Sequence, residues 1–114
     1  MDSRTRSGFL AMQFDRLVQG PDAPRTLILQ TDVAQLTLTR HGNVVSCVCA
    51  LSEPSDERYE ALRRRGAVDD TFMISPKLQP REFGIWLERL LTEDLGANSS
   101  GHVTVVELES ALIV

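Results

Sequence analysis

Three strand signals follow one another in residues 26–51, whose sequence is TLILQTDVAQLTLTRHGNVVSCVCAL. In the middle signal, residues 34–40, apolar and polar side chains alternate, which is typical of a strand with one buried and one wet face. The last signal, residues 44–51, is apolar on both faces, which predicts a central, better-covered strand. Gly42 can adopt a positive φ and so marks a hairpin turn between them. We predict a three-stranded antiparallel meander.

Helical periodicity flanks this stretch on both sides. Before it, residues 8–19 place apolar side chains at the i, i+4, i+7 and i+8 positions of one helical face. After it, a short helix begins at Ser55, a good N-cap, and ends at Gly66, which can supply the left-handed C′ residue. A longer helix begins at Pro80, whose fixed φ suits the first helical position, and ends at Gly96. We expect the longer helix to have the widest apolar face.

Two further segments have the composition of strands. Residues 71–74 predict a short edge strand, and residues 102–108 are rich in β-branched side chains. The element order is then α-β-β-β-α-(β)-α-β, which lacks the regular alternation of a parallel β-α-β fold. We predict an α+β fold with a mainly antiparallel sheet and helices packed on one face. We expect residues 1–114 to form a single domain.

The composition is that of an acidic globular domain. Among 114 residues, hydrophobic side chains make up 42% and charged ones 25%, and the formal net charge is −4. A surface that neutralises phosphates must be basic, so nucleic acid and anionic membranes are disfavoured as partners. No segment approaches the roughly 20 apolar residues of a membrane span, and residues 1–7 do not lead into the apolar run of a signal peptide. We predict a cytoplasmic protein.

The chain has few residues of the kinds that perform catalysis or bind metals. Cys47 and Cys49 point to one face of a strand, but a zinc site needs about four ligands, so we expect two core thiols. A redox or metal role for the pair stays open. His41 and His102 are the only histidines, and no nucleophile elbow or phosphate-binding glycine pattern occurs. We predict no catalytic residue, no cofactor and no metal.

Two features predict an interface with another protein. Trp86 lies in the middle of the apolar helix face, where core packing and a partly exposed interface anchor are both open. The last residues of the sequence, Leu112, Ile113 and Val114, form an apolar segment that either docks in its own sheet or offers its edge to a second chain. If they form a subunit interface, we expect their removal to weaken self-association.

Four segments of the sequence are similar, in order and pattern, to those of a known family. They are the strands of residues 36–40 and 44–51, the segment YEALRRRG at residues 59–66, and the amphipathic helix of residues 83–95. The chain resembles small bacterial YbjN-like domains, which are similar in fold to type III secretion chaperones. The resemblance implies an α/β sandwich that binds another protein, often as a dimer, without catalysis.

A second resemblance competes with the first. Residues 80–91 and the strand of residues 103–107 look like the closing helix and strand of tunnelling-fold pterin enzymes. That resemblance implies that Glu107 anchors a pterin ring. It implies a metal-independent enzyme, because the zinc-binding members need three histidines and this sequence has two.

The function that we predict is a non-catalytic protein-binding module, chaperone-like or regulatory, that acts as a homodimer. Its partner is another protein whose identity the sequence does not reveal. The alternatives are the metal-independent pterin-type enzyme and an inhibitor or immunity protein, since an acidic surface is suited to covering a basic one.

Overall fold

The structure, a computed structural model, describes residues 3–19, 26–97 and 101–108. Its elements are α1 (Ser3–Val18), β1 (Thr26–Gln30), β2 (Ala34–His41), β3 (Val44–Leu51), α2 (Asp56–Arg64), β4 (Thr71–Ile74), α3 (Pro80–Arg89) and β5 (Thr104–Leu108). A π-helical turn, Leu90–Asp94, continues α3 directly. This is an α+β fold with its helices and strands in the predicted order.

The strands form a five-stranded antiparallel sheet in the order β4-β3-β2-β1-β5. β1, β2 and β3 are consecutive neighbours, which confirms the predicted meander. Gly42 lies between β2 and β3 with a φ of 59°, a left-handed conformation that glycine adopts at little cost. The predicted short edge strand is β4, and β5 pairs with β1 at the opposite edge.

The helices pack on one face of the sheet, as predicted. Except for Arg40 of β2, every second residue of β1 to β4 is buried in a core shared with α1, α3 and the π-helical turn. The strands contribute Leu27, Leu29, Ala34, Leu36, Leu38, Val45, Cys47, Cys49, Leu51, Phe72 and Ile74, and the helical layer contributes Leu10, Phe14, Leu17, Phe83, Leu87, Leu90 and Leu91, with Leu62 added from α2. The rings of Phe14 and Phe83 stack with their centroids 4.3 Å apart, which joins α1 to α3.

α1 and α3 approach each other closely at Gly84. A Cβ atom added there would lie 2.2 Å from the carbonyl oxygen of Ser7 and 3.0 Å from the Cβ atom of Ala11. Because the side chains at a helix contact set the distance between the axes, a glycine at this position allows the two helices to pack more tightly than any other residue would.

The ends of α2 are those that the sequence predicts. The hydroxyl oxygen of Ser55 accepts a hydrogen bond from the backbone N–H of Arg58 at 3.2 Å, so Ser55 is the N-cap. Gly66 has a φ of 109° just beyond the helix, which is the predicted left-handed position.

Other boundaries differ from the predictions. α1 begins at Ser3, several residues before the predicted start. The sequence did not predict these first turns because they carry no apolar periodicity. The predicted long helix changes to π geometry near its end, where the N–H of Leu95 donates to the carbonyl of Leu90 at 3.1 Å, a wider turn than that of an α-helix. The strand predicted from His102 begins at Thr104. The loop predicted after α1, at residues 20–25, and the segment Leu112–Val114 lie outside the described residues.

The prediction that β3 is a better-covered strand is wrong for one of its faces. Val45 and Cys47 are fully buried against the helices. Val48, on the opposite face, is half-buried, and Ala50 is exposed. Within the described ranges, β3 is an interior strand that meets helices on one side only. The apolar side chains on its other face are therefore not explained by burial under a helix.

Candidate functional site

The face of the sheet opposite the helices, here called the open face, carries no charged side chain. It comprises Thr26, Ile28, Gln30, Gln35, Thr37, Thr39, His41, Val44, Ser46, Val48, Ala50, Thr71, Met73, Thr104, Val106 and Leu108. None of these is Asp, Glu, Lys or Arg, although those four types make up 25% of the chain. Since the cores of protein interfaces are depleted of charge, this composition indicates a surface suited to contact with a protein.

The open face is built largely of short β-branched side chains. One row runs across all five strands and consists of Val106, Ile28, Thr37, Val48 and Thr71. In the next row, hydroxyls lie near the middle, and the exposed side chains of Leu108 and Met73 lie at the two ends. Such a surface can make van der Waals contacts and hydrogen bonds with a partner without desolvating a charge.

An apolar hollow adjoins the open face at β4. Its volume is about 440 Å³. Its lining is mainly apolar, from Phe72, Met73, Ile74, Leu78 and Trp86, and also includes the charged residues Arg65 and Glu82. Trp86 is half-buried, and its ring meets that of Phe72 edge to face with the centroids 4.9 Å apart. Because Met73 belongs to both surfaces, a partner that covers the β4 end of the open face can also reach Trp86.

A second hollow, of about 560 Å³, lies between α2 and the π-helical turn and has a polar lining. Its charged groups have both signs, with Arg58 and Arg64 from α2 and Glu93 and Asp94 from the turn. Both carboxylates are also held by Arg65, at 2.6 Å to Asp94 and 3.3 Å to Glu93. Mixed and internally paired charges favour neither an anionic nor a cationic ligand.

Cys47 and Cys49 lie in the core, as predicted. Both side chains are fully buried on the helix-facing side of β3. Burial, with a smaller contribution from Cys49, raises the pKa of the Cys47 thiol far above its ordinary value. Burial and the nearby Asp70 carboxylate raise the pKa of Cys49 to about 11. Since the thiolate is the reactive and metal-binding form, both cysteines are held in their inert state at neutral pH.

The remaining candidate residues do not converge on a site. His41 and His102 are both exposed, at the end of β2 and before β5. Among the residues described, no three His, Cys, Asp or Glu side chains are grouped so that they could hold a metal ion. In the same part of the chain, no helix has the length and apolar character needed to cross a membrane.

Glu107 lies on the helix-facing side of β5, opposite Leu27 of β1. Its carboxylate forms an ion pair with the guanidinium of Arg16 on α1, and both side chains are partly exposed. Neither of the two hollows described above is lined by Glu107. The carboxylate that the second resemblance assigns to a pterin ring is therefore engaged by an arginine of the same chain.

The chain matches no protein-family model, no curated protein and no solved structure. Both family resemblances therefore stay predictions. The open face and the hollow beside Trp86 are the surfaces of the described chain whose chemistry favours a function.

The continuity of the open face could not be predicted from any one segment of the sequence. Its signal is nevertheless present in β2, where the wet side consists of Gln35, Thr37 and Thr39, which are polar but uncharged. A second signal is the apolar outer side of β3, which predicts a better-covered strand. Only the pairing of the strands shows that these residues form one surface.

Proposed function

We propose that this protein is a non-catalytic module that binds another protein and that it acts as a homodimer. The observation that carries the proposal is the absence of Asp, Glu, Lys and Arg from the open face. A sheet face that meets only water gains solubility from charged side chains, and here their absence extends over five strands. A protein partner explains this composition, because charges at the centre of an interface must be desolvated.

The rest of the molecule fits this proposal better than it fits catalysis. Ionisable groups that lie close together in the described regions form ion pairs with each other, such as Arg65 with Asp94 and Arg63 with Glu60. The net charge of −4 disfavours nucleic acid. Trp86 offers a half-buried aromatic ring beside the open face, and aromatic side chains are common anchors in interfaces.

A chaperone-like or regulatory role is the form of binding that we favour. An uncharged sheet face and an adjoining apolar hollow suit a partner segment that carries exposed apolar side chains. This role agrees with what the YbjN-like resemblance implies, although the resemblance adds no independent support. An inhibitor role needs a basic partner surface, and the uncharged open face does not favour one.

A charge placed at the centre of the open face tests the proposal. Thr37 lies in the middle strand of the sheet and is partly exposed, so we expect the T37K protein to fold. We expect T37K to weaken partner binding by roughly tenfold or more, because an unpaired interfacial charge costs over about 1.4 kcal/mol. The matched control is S52K, which adds the same charge at an exposed position after β3.

The measurement is an affinity pull-down from the native host, in which wild type, T37K and S52K are compared by quantitative mass spectrometry. The proposal predicts a protein that wild type and S52K retain and that T37K loses. If the three variants retain the same proteins in the same amounts, the open face is not the binding surface. Light scattering tests the homodimer separately, and a monomer at micromolar concentration contradicts that part.

A further inference from the structure

The two edges of the sheet differ in how they are protected. The outer edge of β4 is blunted, because Val68 and Thr71 exchange backbone hydrogen bonds of 2.9 and 3.0 Å. At the other end of β4, the carbonyl of Ser75 accepts from the N–H of Leu78 at 3.1 Å. These bonds leave little of a four-residue strand available for pairing, which is a common way to prevent association of sheet edges.

β5, at the opposite edge, has no such protection among the described residues. It pairs with β1 through five consecutive residues, without a bulge. Thr31 N donates to Ala34 O at 3.0 Å, which identifies the hydrogen-bonded positions of the β1–β2 ladder. The alternation of an antiparallel ladder then directs the backbone groups of Val105 and Glu107 away from the sheet.

We propose that β5 pairs antiparallel with β5 of a second copy of this chain, about a two-fold axis at Val106, so that the two sheets become one. The inference rests on the proposed homodimer and specifies its interface. Val105 then exchanges backbone hydrogen bonds with Glu107 of the second copy, and Thr104 faces Leu108 of the second copy. A two-fold interface must be complementary to itself, and this register meets that condition because the outward backbone groups of Val105 and Glu107 in one copy face those of Glu107 and Val105 in the other.

Charge and strand length select this register. With the axis at Val106, the middle residue, all five residues of β5 are paired. With the axis at Glu107, two carboxylates would face each other directly, which destabilises a strand pair. At the chosen register Glu107 faces an apolar Val105 and keeps its ion pair with Arg16.

The pairing also accounts for two exposed apolar side chains and extends the open face. Val106 is 46% exposed and Leu108 is 43% exposed, and both point to the open side of β5. In the proposed dimer, Val106 contacts its own symmetry mate and Leu108 lies beside Thr104 of the second copy. The uncharged surface is then continuous across the junction, so a dimer presents twice the area to a partner.

Single cysteines on β5 test the register. Val106 would face Val106 as a non-hydrogen-bonded pair, with Cα atoms about 4.5 Å apart, and disulfides form at Cα separations of about 4.4–6.8 Å. We expect V106C to form an intermolecular disulfide under mild oxidation at least about tenfold faster than M73C, an exposed control at β4, because pairing raises the effective thiol concentration. T104C and L108C should not crosslink alone but should crosslink when mixed. Cys47 and Cys49 are buried and do not compete.

Gel electrophoresis without reductant and light scattering together separate the outcomes. If wild type is a dimer but V106C crosslinks no faster than M73C, or T104C crosslinks alone as fast as V106C, then the β5 pairing is overturned while the proposed homodimer stands. If wild type is a monomer, both are overturned, and the T37K comparison still decides whether the open face binds another protein.

Discussion

Arg6 is fully buried, and its charge is balanced by Glu88, which lies 82 positions later in the chain. Two hydrogen bonds join the side chains, from Nε to Oε2 at 2.6 Å and from Nη2 to Oε1 at 2.9 Å. Arg6 also donates from Nη1 to the carbonyl of Gly101 at 3.3 Å. The guanidinium thus links α1 to α3 and to the segment that leads into β5.

We expect E88A to lower the free energy of unfolding by about 3–5 kcal/mol, because it leaves a buried guanidinium without its carboxylate. Urea denaturation monitored by circular dichroism measures the change. The double variant R6M/E88M should recover most of the loss, since an apolar pair of similar volume replaces the buried charges.

The control for this prediction is E60A, which removes the exposed partner of Arg63 at 3.0 Å. An exposed ion pair contributes little, so E60A should change stability by less than about 1 kcal/mol. If E88A and E60A have equal effects, the buried ion pair is not a determinant of stability.

Single residues differ in how far the sequence alone predicts their place. The burial of Cys47 and Cys49 follows from strand alternation, which is local and was correctly predicted. The Arg6–Glu88 pair has no local signal, because nothing within either helix marks a partner so distant in sequence. Trp86 is intermediate, because its helix face is predictable but its half-buried state depends on where β4 lies.

At the scale of elements, the contact between α1 and α3 depends on Gly84. We expect G84A to destabilise the protein by about 1–3 kcal/mol or more, because a methyl group 2.2 Å from the Ser7 carbonyl forces the helices apart. G8A is the matched control, since Gly8 lies in α1 with no atom within 4 Å of an added Cβ. G8A should stabilise the protein by up to about 1 kcal/mol through helix propensity.

Thermal unfolding of the two variants measures these opposite shifts. A G84A protein that unfolds at the temperature of wild type would show that the helices can separate at no cost, contrary to the tight packing described above. A destabilised G8A would show instead that any substitution in the helix pair is disruptive.

The elements themselves were largely predictable because their signals are local. Alternation identified the strands. Ser55 marked a helix end by its side-chain hydroxyl, and Gly66 and Pro80 did so by the φ angles that they can adopt. The π-helical turn at Leu90–Asp94 was not predictable, since five residues are too few to distinguish the period of a π-helix from that of an α-helix. The prediction that β3 is covered on both faces was also wrong. An apolar strand face does not reveal whether the surface that covers it belongs to the same chain.

At the scale of the whole molecule, the sheet has a helix-covered face and an open face, a blunted edge at β4 and an edge at β5 that no described residue protects. The proposed dimer uses the β5 edge and leaves both open faces available to a partner. Binding to a second copy stabilises the folded state by mass action, so a dimer of this kind makes stability depend on protein concentration.

We therefore expect the melting temperature of wild type to rise by about 3 °C for each tenfold increase in protein concentration. V106K should abolish this dependence, because it places two ammonium groups opposite each other at the two-fold axis. Differential scanning calorimetry over a hundredfold concentration range measures both.

Deleting Leu112–Val114 then separates the two interfaces considered for the dimer. If the shortened chain keeps the full dependence, the interface predicted from those three residues is wrong and β5 suffices. If V106K keeps it and the shortened chain loses it, the dimer forms through those residues and not through the β5 pairing.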